Sequence, residues 1–325
     1  MPLRWLAALH LLALQGQSPY AQLWPDVGAV ARAAAPVRDD RVRDAGTGAA
    51  PRAATQLATD PALDSALDAA IDGAWHHHQS LMELVLCLPP QTNEVQRSAA
   101  LLPGLLYAAE QTRLPLVLLE IGASAGLNLW CDHYQHDHGT WSWTNAGPGL
   151  VLRCEWLGPP PPLQGGLHIV RRAGCDASPV DLDDEQQVLR LASYVWPDQP
   201  ERMRRLQQAQ AVASACMARS GVRVQAAGAA DFLRLQLRQR RPGQAMVLMH
   251  SVVWQYIDRA EQADIEAQLQ AAGSQADAKS PLAWLRFEPA LPDAAVELRC
   301  RLWPNGDDRL LARCHPHAAR IQWLG

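Results

Sequence analysis

The stretch "LVLLEIGASAGLNLW", residues 116–130, decides the fold. Its first six residues are an apolar run bounded by Pro115 and Gly122, the pattern of a strand covered on both faces. Two readings of the loop after that run are open. Glu120 followed by Gly122, Ser124 and Gly126 is a carboxylate and a spaced-glycine loop, the device by which a strand hands a nucleotide-like cofactor to a helix. The same residues, Gly122-Ala-Ser124-Ala-Gly126, also spell G-x-S-x-G, the nucleophile elbow of a serine hydrolase. Both readings need a strand, a tight turn and a helix, and the spacing predicts that helix over 125–134.

Working outward, similar apolar runs recur at 167–172, 222–227, 245–250 and 282–287. Helical periodicity separates them at 183–195, 200–219, 229–239 and 260–271. Alternating strands and helices predict an α/β fold with a Rossmann-like, mostly parallel sheet. The end differs: Val296, Leu298, Cys300 and Leu302 alternate with charged residues, and Pro304-Asn305-Gly306-Asp307 is a turn, which predicts an antiparallel hairpin. Residues 135–167, rich in Trp and Pro, read as a β-flap inserted over the first crossover.

Upstream of residue 111 no strand is expected. Asp60-Pro61 opens a helix with a stripe of Leu63, Leu67, Ile71, Trp75, His78, Met82 and Val85, and a second helix is expected at about 93–110, kinked at Pro103-Gly104. Residues 26–60 read as a long loop or linker. The division is therefore an N-terminal helical region, 1–110, and a sheet domain, 111–325. The first 22 residues mimic a leader peptide, but His10 interrupts the apolar stretch and no small-x-small site follows, so a packed helix is expected.

The chain has 325 residues, a net charge of −4, and Lys279 as its only lysine, which argues against binding nucleic acid through a basic surface. No apolar run approaches a membrane span. The seven cysteines are scattered singly, which points to a reducing, cytoplasmic compartment rather than a disulfide framework.

In the cofactor reading, Gly122 allows the turn, Gly126 lets the helix pack close, and Ser124 replaces the usual middle glycine. That replacement is a weakness for a pyrophosphate and matters less for S-adenosylmethionine, which carries no phosphate. Asp176, after the next strand, is placed to take ribose hydroxyls, and Asp231, after the third, to reach an adenine amino group. His250 and Ser251 end the fourth strand, with His250 the candidate general base. Asn93, Glu94 and Arg97 form a polar cluster suited to a substrate lid. The hydrolase reading has Ser124, then Asp231 or Asp258, then His315 or His317, but lacks the earlier strands and the oxyanion loop such a fold supplies. Ser124 also reads simply as a helix cap. Cys131, His133, His136 and His138 have zinc-like spacing, yet they straddle a helix and a flap, and His76, His77 and His78 point in different directions; no metal is expected.

"QTNEVQRSAALLPGLL", "PLVLLEIGASAGLNL", "GCDASPVDL", "YVWPDQPERMRRL", "MHSVVWQYI" and "HPHAARIQWL", in that order, resemble one bacterial family of unknown function over about residues 80–325. The resemblance implies a fold similar to class I S-adenosylmethionine-dependent methyltransferases, with a seven-stranded sheet whose last strand is antiparallel. It implies S-adenosylmethionine as cofactor, with Glu120, Gly122 and Gly126 matching the first motif, Ser124 departing from it, Asp176 matching the ribose-binding acid and Asp231 offset from the third-strand acid. It implies no established substrate, and a small-molecule methyl acceptor is a separate expectation. No N/D-P-P-Y motif follows the fourth strand, which argues against methylation of DNA bases. A non-catalytic scaffold on the same fold stands as a further alternative.

Overall fold

A helix ends at Thr112, with Arg113 capping it in the left-handed conformation, and β1, Leu116–Ile121, follows, all six residues of which are buried. The computed structural model describes residues 2–15, 91–145, 149–196, 198–290 and 295–325. Along the chain the remaining strands are β2 (Gln135–Asp137), β3 (Ser142–Trp143), β4 (Val151–Leu152), β5 (Glu155–Leu157), β6 (Ile169–Asp176), β7 (Val224–Ala226), β8 (Ala245–Ser251), β9 (Leu282–Pro289), β10 (Val296–Trp303), β11 (Asp307–Cys314) and β12 (Arg320–Trp323). The α-helices are α1 (Pro2–Leu14), α2 (Ser98–Thr112), α3 (Glu185–Ser193), α4 (Pro200–Ser220), α5 (Ala229–Leu237) and α6 (Arg259–Ser274). The linker at 26–60, the helix from Asp60 and the three histidines at 76–78 lie outside the described residues.

Contacts divide the chain into two units, residues 1–91 with 185–200, and residues 92–184 with 201–325. In the first, α1 packs on α3; Ala8, Leu11 and Leu12 are buried, and the buried His10 ring contacts the Ser193 carbonyl through Nδ1 at 3.1 Å. No helix among the described residues is long and apolar enough to cross a membrane.

The second unit holds a nine-stranded sheet in the order β5-β12-β11-β10-β9-β8-β1-β6-β7. The run β7-β6-β1-β8-β9 is parallel throughout. From β1 the chain builds outward through β6 to β7, then returns to the other side of β1 for β8 and β9. Strand order therefore reverses between β1 and β8, the crevice at which open α/β sheets receive ligands. Alternate residues of the strands, among them Val117, Leu119, Met246, Leu248 and Trp284, join Phe232, Leu233, Ile265 and Leu269 of α5 and α6 in one core. On the other face α2 lies against β8, β9 and β10, its Gly104 seated on Leu285. So α2, read from sequence as part of the helical region, belongs with the sheet.

Gly273 of α6 faces the Trp303 ring, and a Cβ there would lie 2.4–2.5 Å from ring atoms. In an open helix Gly→Ala gains about 1 kcal/mol. Forcing a rigid indole aside costs about 1–3 kcal/mol, so Gly273→Ala is expected to destabilise, read as a lower denaturation midpoint.

Three sequence expectations are corrected. The sheet has nine strands, not seven, and β9 is followed by an antiparallel meander of β10, β11 and β12. The 135–167 insertion is only partly a flap: β2, β3 and β4 make a small sheet, but β5 leaves it and pairs with β12 at the far edge of the large one. The segment predicted as an α-helix over 125–134 is a distorted 3₁₀ stretch, Leu127–His133, with Trp130 out of helical conformation. Its carbonyls are captured by side chains: Tyr134 donates to Leu127 O at 2.6 Å, Arg172 to Leu129 O at 2.6 Å, and the His136 ring contacts Cys131 O at 2.9 Å. Carbonyls so engaged are drawn out of the i→i+4 ladder.

Candidate functional site

The loop after β1 alternates Gly122 (φ 67°), Ser124 (φ 52°) and Gly126 (φ 74°) in the left-handed region, which folds the chain sharply over the end of the sheet. Register places Ile121 opposite Cys175, so Asp176 stands beside the loop. Its carboxylate accepts from Ser124 N at 2.8 Å and Ser178 N at 2.9 Å, and its carbonyl accepts from Ala227 N at 3.1 Å. One residue thus ties together the loops that follow β1, β6 and β7. Asp176 stands at the rim of the glycine loop, its Oδ2 engaged by Ser124 of that loop and its Oδ1 by Ser178 of the loop after β6.

Glu120 points to the α2 face and is buried. Burial, and then the nearby Asp176 charge, hold its carboxyl well above the ordinary range, against a hydrogen bond with Asn128 and the positive charge of Arg97. Asn128 in turn accepts from the Ser98 hydroxyl at 2.8 Å. Arg97 donates to the Ser251 carbonyl at 3.0 Å, bridging the start of α2 to the end of β8. Its guanidinium is pulled down by burial and held up by Glu94 and Glu288. Three buried polar atoms around this edge have no hydrogen-bond partner among the described residues: Glu120 Oε2, Arg97 Nε and Glu288 Oε2. Native interiors leave few such atoms, and a cluster of them calls for an explanation.

At the end of β8, His250 is buried with both ring nitrogens engaged. The Trp284 indole, which can only donate, points at Nε2 at 3.0 Å, so the proton sits on Nδ1 and is shared with Glu288 Oε1 at 2.6 Å. Trp254 stacks on the ring at 5.2 Å. Neither nitrogen is left to take a proton from a ligand, which corrects the general-base expectation for His250. Glu288 Oε1 also accepts from Val253 N at 3.1 Å, and the Val253 side chain sits directly above Gly122.

The lid residues are built in rather than free to close. Asn93 accepts from Leu127 N at 3.0 Å. Glu94 is buried, paired with Arg202 at 2.6 Å and His317 at 3.2 Å, and accepts from Gln96 N. Burial pushes its carboxyl up, but the His317 hydrogen bond and the Arg202 charge outweigh it and hold the group at about 2. Asp231 lies elsewhere: it is on the first turn of α5, its side chain 79% exposed and paired with Arg234, so it is corrected to a surface residue. The hydrolase partners are likewise engaged elsewhere, Asp258 capping α6 through Glu261 N and His317 on Glu94. Among the described residues no group of three or more His, Cys, Asp or Glu is placed to hold a metal ion.

Glu288, Trp284, Val253 and Arg202 were not singled out from sequence. Glu288 had a signal, as an acid interrupting the apolar run "LAWLRFEPA" at a strand end. Arg202 is one of several arginines in "PERMRRL", and nothing local marks it.

No curated protein and no solved structure matches the chain. A family profile described as an uncharacterized protein conserved in bacteria matches residues 47–323, which takes in every residue of the crevice between β1 and β8. The chain therefore belongs to that bacterial family, DUF2332.

Proposed function

We propose that the chain is a cytoplasmic, methyltransferase-like enzyme that binds S-adenosylmethionine in the crevice between β1 and β8 and acts on a small acceptor. The observation that carries this is the set of three orphaned buried polar atoms, Arg97 Nε, Glu120 Oε2 and Glu288 Oε2, gathered where strand order reverses. A parallel core built in the order β7-β6-β1-β8-β9, followed by an antiparallel strand, supports a Rossmann-like methyltransferase sheet. Arg97 offers a donor to a ligand carboxylate. Glu120, whose carboxyl burial holds above the ordinary range, offers an acceptor, and a donor when it carries a proton. Asp176 and the Gly122–Gly126 loop suit the sugar, since a carboxylate oxygen accepts more than one hydrogen bond. When bound, S-adenosylmethionine supplies a methyl group on an activated sulfonium, so the protein's part is mainly alignment. Where the acceptor must lose a proton, Glu288 Oε2 takes the role, oriented by His250 through Oε1.

A second reading is favoured by one contact. The Val253 side chain fills the space above Gly122, as a scaffold that kept the fold and closed the crevice would have it. Calorimetric titration with S-adenosylmethionine and its demethylated product separates the two. Binding to the wild type, weakened about tenfold or more in Asp176→Asn (at least ~1.4 kcal/mol), is the expected result. A silent wild type with a binding Val253→Ala variant would establish the closed scaffold. Silence of both at millimolar ligand would remove the adenosyl ligand altogether.

A further inference from the structure

We propose that a second site, on the outer flank of β6 away from the glycine loop, binds a small amphipathic carboxylate. The space arises from strand lengths. β7 covers only Gly174–Asp176, so the first half of β6 has no strand neighbour on that side. Between it and the end of α4 lies an open cleft of about 460 Å³, within the size range of small-molecule sites.

The lining is apolar on its floor and cationic at its rim. Ile169, Val170 and Val222 supply the floor, and Val170 is 42% exposed, one of the few large apolar side chains left to solvent. Three arginines line the cleft, Arg172 and Arg171 from opposite faces of β6, the latter turned to Gln236 of α5, and Arg219 from the end of α4. Arg172 is spoken for: it binds Asp132 through two hydrogen bonds, at 2.8 and 3.0 Å, and lies over the Trp130 ring at 4.3 Å. Arg171 and Arg219 are not neutralised. Among the described residues Arg171 donates to the Gln236 amide oxygen at 2.7 Å, and its Nη2 is buried without a partner. Among the described residues Arg219 hydrogen-bonds to the Cys216 sulfur, at 3.2 Å, a weak acceptor. Neither forms an ion pair with a carboxylate among the described residues.

Guanidinium groups select a carboxylate head, and the valine and isoleucine floor selects an apolar body beside it. The α4 carboxyl end also faces this cleft, and its partial negative charge opposes an anion, so recognition rests on the two side chains. Arg171 and Val170 lie at the opposite end of β6 from Asp176, so this site stands whether or not the crevice at the loop binds an adenosyl ligand.

The probe is octanoate, titrated calorimetrically into the full chain, with acetate as head alone and 1-octanol as tail alone. Octanoate is expected to bind at least about tenfold more tightly than either control (~1.4 kcal/mol). Arg219→Gln removes an exposed side chain, so it should leave the thermal midpoint unchanged while weakening octanoate about fivefold or more (~1 kcal/mol), with Arg219→Lys intermediate. Val170→Ser should weaken octanoate and leave acetate unaffected. Absence of heat at millimolar octanoate with a folded protein overturns the site. So does octanoate binding that Arg219→Gln and Val170→Ser leave unchanged.

Discussion

Between pH 6.5 and pH 4 the protein is expected to lose about 6 kcal/mol of stability, most of it through two histidines of the inserted segment. His136 is driven to about 3, chiefly by burial and further by His138, against a hydrogen bond to the Cys131 carbonyl. His138 is driven to about 4 by burial among Trp141, Trp156 and Cys154. The sign depends on which state takes the proton first. Above 6.5 both rings are neutral whether the chain is folded or not, and nothing is lost. Below it the unfolded chain is protonated while the folded one is not, so each ring costs about 1.4 kcal/mol per pH unit until its folded value is reached. Two such rings consume much of the ~5–15 kcal/mol that holds a typical domain folded. Glu94 adds a later limb. Its carboxyl moves from 4.5 to about 2, so its contribution, roughly 3 kcal/mol, is present above 4.5 and disappears as pH falls towards 2. Urea titrations at half-unit steps from pH 7.5 to 4 read the slope directly. In His138→Phe the slope between pH 6 and 4.5 should drop to about half. A stability that does not change between pH 7 and 5 would mean that these rings are not buried and neutral.

Gly122→Ala is expected to destabilise the fold by about 2–5 kcal/mol, through two separable terms. Holding a non-glycine residue at φ 67° costs about 1–2 kcal/mol. The added methyl would also sit 2.3 Å from Val253 Cγ2, an overlap worth about 1–3 kcal/mol. Val253 does not yield freely, because its N–H holds Glu288, which holds His250. A double-mutant cycle with Val253→Ala parts the terms: the overlap disappears in the double variant and the backbone cost remains. A cycle with no coupling would show that Val253 does not rest on Gly122.

The strands around β1 were legible because five short apolar runs, spaced by helical periodicity, admit few arrangements other than a parallel sheet. The hairpin was legible from its alternation and its Pro-Asn-Gly-Asp turn. What escaped was set by partners distant in sequence. Nothing in "GLNLWCDHY" shows that Arg172 and Tyr134 will take its carbonyls, so the α-helix expected there was the reasonable local choice. Glu120, Gly122, Ser124 and Asp176 were placed together because the loop and the strand end are local patterns. Asn93 and Arg97 were found in the right region, but they are built into the edge by their hydrogen bonds to Leu127 and Ser251 and do not form a separate lid. Asp231 failed because a carboxylate one position further along a helix turns to solvent, and sequence does not resolve that rotation.

The pairing of β5 with β12 bears on how the molecule is made. β5 emerges from the ribosome with its partner still untranslated, since Glu155 is matched to Arg320. Until then the tryptophan at 156, which also packs on His138 and Trp141 of its own insertion, lacks the Trp323 ring that stacks on it in the finished protein. The nascent chain must carry that unmatched strand and its indole through the synthesis of almost every other strand of the large sheet. Such a segment invites a chaperone, and it makes closure of the outer sheet edge a late event in assembly.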